Sequence, residues 1–234
     1  MKQAKEYFLC HFLSLAFQFM LYEFVKRCVD IFGSLVGLVL FSPFLLISAI
    51  LIKITSDGSV FVEHSDRVGQ DEKVFRMLKF RTMVKNSHNL IRTDPKYKEL
   101  LNQYKQNSFK LANDPRITPI GKFLRRTSID ELPQFFNVLV GQMSLIGPRA
   151  YYPDELAEQK KNFPKCKEFI RRALSVKPGM TGLWQVSGRS EVGFEKRIEM
   201  DASYAQGKSL LLDLLILCKT PMAVLRGEGK TTAQ

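Results

Sequence analysis

The sequence predicts an α+β fold, predominantly helical, attached to a bent apolar helix. Three observations lead there. Ile31–Ile52 runs for 22 residues without a charge and is broken near its centre by Ser42-Pro43. Two short runs of β-forming residues, Ser59–Phe61 and Val74–Phe80, flank a turn at Val68-Gly69-Gln70-Asp71. Beyond residue 86 the chain alternates helical patterns with Gly and Pro punctuation. The 234 residues suffice for one ordinary domain plus an attachment, and 45% hydrophobic content excludes wholesale disorder. The net charge of +12 favours anionic partners: nucleic acid, anionic lipid or phosphorylated metabolites. Cys10, Cys28, Cys166 and Cys218 are scattered without CxxC spacing, and the three histidines complete no zinc pattern. Reduced thiols fit a domain facing the cytoplasm.

The first 23 residues form an apolar extension. Its stretch Tyr7–Tyr22 is 16 residues long, short for a span and without a signal-peptide cleavage pattern. It reads either as a helix lying in the membrane interface or as the stub of a longer membrane region. Ile31–Ile52 would extend roughly 33 Å as a helix, about the hydrocarbon thickness of a bilayer. Pro43 removes a backbone donor at its centre, and Ser42 is placed to satisfy the carbonyl so freed. Lys26 and Arg27 flank one end and Lys53 the other, and basic flanks tend to stay on the cytoplasmic side. The segment therefore either enters and leaves by one face or crosses as a kinked span.

In the strand region, Lys79-Phe80-Arg81 places two cations on one face. Asn86–Gln106 reads as a surface helix that restarts after Asp94-Pro95. Leu132–Val140 reads as an apolar helix stopped by Gly141, and Gly147-Pro148-Arg149 as a turn. Asp154–Ala173 is a charged helix interrupted at Pro164, and Pro178–Gly188 a loop. Ser209–Leu225 is apolar, but Asp213, Lys219 and Pro221 point to a helix on the core or the membrane surface rather than a span. The tail, residues 227–234, is expected to be loose.

Asp130-Glu131 is the feature that carries chemistry. Ser128-x-x-Glu131 fits a capping box, which is a sufficient structural reason for acids there. The surrounding cations add a second reading. Arg125 and Arg126 precede the pair, Arg149 follows the Gly-Pro turn, and Lys79 and Arg81 lie on a strand. Such a cluster can hold a diphosphate while a carboxylate attacks phosphorus. A neighbouring carboxylate can hold Mg2+, which takes oxygen ligands and bridges phosphates.

Several ordered segments resemble the bacterial sugar transferase family, the monotopic polyprenyl-phosphate phosphoglycosyl transferases. They are Lys79–Met83, Arg116-Ile117-Thr118, Thr127–Gln134, Asn137-Val138-Leu139, Met143–Arg149 and Lys177–Gly182, together with the Ser-Pro-broken apolar segment. The resemblance covers about residues 24–226. It implies a re-entrant membrane helix over 24–53 bent at Ser42-Pro43, and a small cytosolic catalytic domain with membrane-surface helices over 54–226. It also implies location at the bacterial inner membrane, with catalysis on the cytoplasmic face. The implied reaction moves a sugar 1-phosphate from a nucleotide-sugar donor, expected to be a UDP-hexose carrying galactose or glucose, to undecaprenyl phosphate. This would be the first membrane step of a surface glycan. By similarity Asp130 is the nucleophile and forms a phosphosugar-aspartyl ester, and Glu131 binds Mg2+. Lys79, Arg81, Arg125, Arg149, Arg189 and Asp201 match positions for phosphate or nucleotide binding. Inner-membrane lipids are expected partners, nucleic acid is not, and the resemblance admits a homodimer.

The chain departs from the family pattern in two places. Ala150 stands where proline usually follows Gly-Pro-Arg, which should loosen the turn bearing Arg149. Ser65 stands two residues before Arg67 where glutamine or histidine is usual. Trp184, the lone tryptophan, reads as a packed or interfacial anchor in preference to a base-stacking platform. Gly229-Lys230-Thr231 lacks the first glycine of a phosphate-binding loop, since Val224 stands there. A basic lipid- or nucleic-acid-binding protein would explain the charge but not the acidic pair.

Overall fold

The computed structural model describes residues 2–106, 111, 114–187 and 192–225. It is mostly helical, with two small sheets. Helix α1, Lys2–Leu40, runs unbroken through the expected boundary at residue 23, so the extension and the apolar segment share one helix. Helix α2, Ser42–Thr55, follows after a bend of 60°. The bend forms as the sequence predicts. Pro43 offers no N–H to the Val39 carbonyl, and Ser42 Oγ donates to that carbonyl instead at 2.8 Å. Among the described residues no single helix is long and apolar enough to cross a membrane. The bent pair Phe17–Leu40 and Ser42–Thr55 meets the length and composition requirement together.

Strands β1, Asp66–Val68, and β2, Val74–Arg76, pair antiparallel, and Phe61 bridges Phe80 further along. The regular strand thus ends at Arg76, short of the predicted Phe80. Helices α3, Ser87–Thr93, and α4, Lys98–Gln106, are separated at Asp94-Pro95, where the Asp94 side chain accepts from Lys96 N. Helix α5, Pro119–Thr127, starts under a Thr118 cap that accepts from Gly121 N at 3.0 Å. Helix α6 is Gln134–Leu139, and strand β3 is Ser144–Ile146. Helices α7, Pro153–Asn162, and α8, Lys167–Ala173, break at Pro164 as expected. The predicted loop at 178–188 contains strand β4, Gly179–Thr181, and helix α9, Leu183–Ser187. Its glycines and prolines had masked them. Helix α10, Phe194–Gly207, and helix α11, Leu210–Leu225, close the described chain.

Strands β3 and β4 pair in parallel, with Ser144 opposite Gly179 and Ile146 opposite Thr181. Their surroundings fix the rest. The largest core cluster joins β1, α7, α8 and α10 through Val68, Leu156, Ile170, Phe194 and Ile198. A second places Ile52 of α2 against Phe80 and Leu124. Helix α1 is built into the domain along its inner face. Asp30 Oδ1 accepts from Ser144 Oγ and Leu145 N, both at 2.9 Å. A Cβ on Gly33 would lie 2.6 Å from Leu145 Cδ1, and one on Gly37 would lie 2.7 Å from the Phe135 ring. These two glycines, one turn apart, let α1 lie directly on β3 and α6. Lys26 and Arg27, expected as basic flanks of the apolar segment, also turn inward. Lys26 Nζ meets Asp213 at 2.8 Å, and Arg27 donates to the carbonyls of Val138 and Leu139. The outer face of α1 is left apolar: Phe17, Met20, Phe24, Phe32, Leu35 and Val39 are all exposed.

Replacing Gly37 by valine should force the Phe135 ring away and lower stability by about 1–3 kcal/mol, the usual cost of overpacking. Thermal unfolding of the detergent-purified chain measures this, and an unchanged midpoint would mean that the α1–α6 contact is loose.

Candidate active site

The acidic pair is presented by a turn, not by the first turn of a helix. Helix α5 ends at Thr127, and Ser128 takes a left-handed conformation with φ 60°. A 3₁₀ turn, Ile129–Glu131, follows, and α6 begins only after Pro133. The Ser128 side chain does not cap that turn, so the predicted capping box is not formed. The geometry separates the two acids. Asp130 is 1% exposed, while the Glu131 side chain is 39% exposed.

Lys79 arrives from the segment after β2. That segment is pinned to the turn by Phe80 N, which donates to the Asp130 carbonyl at 2.9 Å. Lys79 Nζ lies 2.9 Å from Asp130 Oδ2 and 3.2 Å from Glu131 Oε1, bridging both carboxylates. Burial draws its pKa down, but the charges of Asp130 and Glu131 outweigh burial and hold it above the usual lysine value. Arg125 opposes them as a like charge, and its Nε donates to Thr82 Oγ1 at 2.9 Å.

Arg149 comes from the Gly-Pro-Arg turn. Gly147 N donates to Thr181 O and Gly179 N to Pro148 O, each at 2.9 Å. Arg149 N donates to Asp201 Oδ2 at 3.2 Å. These three bonds hold the turn that Ala150 was expected to loosen, and Ala150 itself packs with Met77, Val138 and Met143. The Arg149 guanidinium lies in the field of Glu155 and Glu131. It sits 5.6 Å from the Trp184 ring and 5.7 Å from the Tyr151 ring, and Arg197 lies 4.9 Å from Trp184 on the same cluster. Trp184 is therefore a packed residue, 6% exposed. Arg149 Nε, Tyr151 Oη, Trp184 Nε1 and Arg197 Nε are buried without a hydrogen-bond partner among the described residues. Buried donors clustered on these neighbouring side chains suit an anionic or acceptor-rich ligand.

The remaining expected residues divide. Arg81 is committed elsewhere: its guanidinium caps the C-terminus of α2, donating to the Ser56 and Asp57 carbonyls and to Ser56 Oγ. Asp201 stands behind the site, where it holds the Arg149 backbone. Arg189 lies outside the described residues, as does the 227–234 tail. Arg67 and Tyr152 were missed. The Arg67 guanidinium stacks 3.1 Å from the Tyr152 ring centre. Burial pushes the Tyr152 phenol up, but Arg67, Lys79 and Arg149 together hold it below the usual value. Arg67 sits two residues beyond a noted departure, and nothing in its spacing announced a partner 85 positions away.

Among the described residues no three His, Cys, Asp or Glu side chains converge on one point. Glu131, the more exposed acid, is the carboxylate of the pair that could offer an oxygen to a hard cation.

A family model described as bacterial sugar transferase matches residues 21–227. The chain belongs to that family. It is 42% identical over 207 residues to the "Undecaprenyl-phosphate galactose phosphotransferase" of Salmonella typhimurium, an alignment covering 88% of this chain and 42% of that protein. It is 41% identical over 202 residues to the "UDP-glucose:undecaprenyl-phosphate glucose-1-phosphate transferase" of Klebsiella pneumoniae, covering 83% and 39%. With "Exopolysaccharide production protein ExoY" of Rhizobium meliloti it shares 39% identity over 204 residues, covering 87% of each chain. The chain thus spans less than half the length of the first two relatives and most of the third.

Asp201 gives this family member a pH signature. Burial raises its pKa from 3.8 to about 7, against the opposing pull of the Arg149 N–H and the charges of Arg197 and Arg149. A raised carboxyl favours the folded state while protonated, so its contribution is complete below pH 3.8 and is lost as pH rises through about 7. Asp201→Asn should therefore gain on the native protein in melting temperature as pH climbs across that window. Parallel melting curves for the two proteins would contradict the assignment.

Proposed function

We propose that this bacterial sugar transferase moves a hexose 1-phosphate, galactose or glucose, from a UDP-sugar to undecaprenyl phosphate at the cytoplasmic face of the inner membrane. The reading rests above all on Lys79 bridging Asp130 and Glu131. An ammonium group is thereby fixed where a phosphate can replace one of its carboxylate partners. Arg125 and Arg149 supply further charge for the diphosphate. The names of the Salmonella and Klebsiella relatives support the acceptor and the sugar class.

The chemistry proceeds as two displacements at one phosphorus. An Asp130 carboxylate oxygen attacks the phosphorus that bears the sugar. A P–O bond forms, the bond to the leaving phosphate breaks, and UMP departs with the electron pair. An oxygen of the polyprenyl phosphate then attacks the same phosphorus. The Asp130–phosphorus bond breaks, Asp130 returns as carboxylate, and a lipid diphosphate sugar is released. As donor phosphate draws Lys79 toward itself, Asp130 loses its counter-charge and gains nucleophilic character. Glu131 would hold Mg2+, which neutralises charge on the diphosphate. Helices α1 and α2 form a re-entrant hairpin in this reading, and their apolar outer surfaces bring the acceptor to the site. A first membrane step in making a surface glycan follows from that acceptor and donor.

Asp130→Asn should lower UMP release by roughly 10³-fold or more, in line with loss of a nucleophile, when assayed well below its melting temperature, which falls because Lys79 loses its buried counter-charge, while membrane recovery stays near the native value. Native turnover in that variant would remove Asp130 from the role. Glu131→Gln should shift the Mg2+ concentration for half-maximal rate upward, and an unchanged magnesium response would remove the metal assignment. For topology, cysteines placed before Phe17 and at Lys53 should react with an impermeant reagent from the same side. Reaction from opposite sides would make the bent pair a span.

A further inference from the structure

Strand β3 has a second side, away from the Gly-Pro-Arg turn. It backs a partly open cavity of about 430 Å³ bordered by α1, the α10–α11 corner and the 175–177 loop. That is the size of a small-ligand pocket. Lys26, Arg27, Lys177 and Lys208 line it, with Glu23 and Asp30 as its carboxylates. Not all of these charges are cancelled. Lys26 pairs with Asp213, and Lys208 with Glu23. Asp30 turns its Oδ1 to Ser144 and Leu145. Among the described residues Arg27 meets only the helix-end carbonyls of Val138 and Leu139 as hydrogen-bond partners. Lys177 makes no hydrogen bond or ion pair among the described residues.

Gly141 brings the last two cations together. It turns the chain at φ +85° after α6, and a Cβ there would lie 3.4 Å from Arg27 Nη2 and 3.7 Å from Lys177 Nζ. Two like charges flanking one glycine repel unless an anion lies between them. Hydrocarbon is exposed on the adjoining elements: Phe19 lines the cavity and is itself 57% exposed, Val140 next to Gly141 is 67% exposed, and Leu211 and Leu214, on the helix that follows Lys208, are exposed. Cations within the cavity and exposed hydrocarbon on the elements that form it match a molecule with a phosphate at one end and hydrocarbon at the other. The cavity contains neither Asp130, Glu131 nor Lys79, so it is separate from the reacting site.

We propose that this cavity binds the phosphate-bearing headgroup of an anionic membrane lipid, with Arg27 and Lys177 meeting the phosphate. The proposal shares the membrane seat of α1 with the reading above but does not depend on the transfer chemistry. A bound headgroup would join α1, α6 and the 175–177 loop behind β3, and it would make anionic lipid a structural ligand of the fold.

The test uses the detergent-purified full chain titrated with dioctanoyl phosphatidylglycerol, dioctanoyl phosphatidylcholine and inorganic phosphate, read by melting temperature and by binding affinity. The glycerol lipid should stabilise the native protein. Lys177→Gln should weaken its binding about fivefold, the effect of one cation near an anionic headgroup. Lys177→Arg should restore it, and Lys122→Gln, an exposed lysine on α5, should leave it unchanged. UMP release in detergent, with undecaprenyl phosphate as the sole added lipid, should be the same in Lys177→Gln and native protein. Equal phosphatidylglycerol affinity in Lys177→Gln and native protein would overturn the proposal. So would equal response to the choline lipid, and inorganic phosphate binding as tightly as the glycerol lipid would assign the site to a free anion instead.

Discussion

Everything at the site depends on one ammonium group held between two adjacent carboxylates. Lys79 could not stay there by its own charge alone, because burial disfavours it. It stays because Asp130 and Glu131 repay the desolvation, and because Phe80 N ties its strand to the Asp130 carbonyl. Removing one member of a buried ion pair typically costs roughly 3–5 kcal/mol, since the survivor keeps its desolvation without its partner. A phosphate-bearing donor offers Lys79 another anionic partner. In the proposed reaction the resting arrangement would hold Asp130 against its counter-charge until a donor phosphate draws Lys79 away.

The scaffold is organised around bringing that turn and the Arg149 turn to one place. Each comes from a short, irregular segment, and each is fixed by bonds from several elements. The Arg149 turn is gripped by β4 on one side and by Asp201 of α10 on the other. β3 itself is held by Asp30 of α1, and Tyr204 of α10 donates to Asp213 at 2.7 Å while lying 3.1 Å from the Ile146 carbonyl. Helix α1 is consequently part of the domain core as well as an apolar attachment. Its two interfaces differ in chemistry: polar bonds and glycine contacts inward, bare hydrocarbon outward.

Features set by local chemistry were legible in the sequence. The Ser42-Pro43 bend, the Asp94-Pro95 restart, the Pro164 break and the Gly141 stop all follow from the residue at the position. So did the acidic pair and Lys79, because motif order carried them. Features set by distant partners were not. Arg81 shares a strand with Lys79 in the sequence pattern, yet the chain leaves regular strand geometry after Arg76 and Arg81 turns to the end of α2. Lys26 and Arg27 read as free basic flanks until α6 and Asp213 are in place beside them. Strand β4 and helix α9 hid among glycines because their stability comes from pairing with β3 and packing on α11, not from propensity. The Arg67–Tyr152 stack needed the folded chain to be seen at all.

The proposed reaction requires that the Asp130 side chain become bonded to the donor's phosphorus. Intact-protein mass spectrometry after mixing enzyme with a UDP-hexose and Mg2+, with no lipid acceptor and a rapid acid quench, tests it most directly. A gain equal to one hexose phosphate is expected, mapped to the peptide containing Asp130 and absent from Asp130→Asn. A preparation that turns over normally with acceptor but never gains that mass under any quench would contradict it.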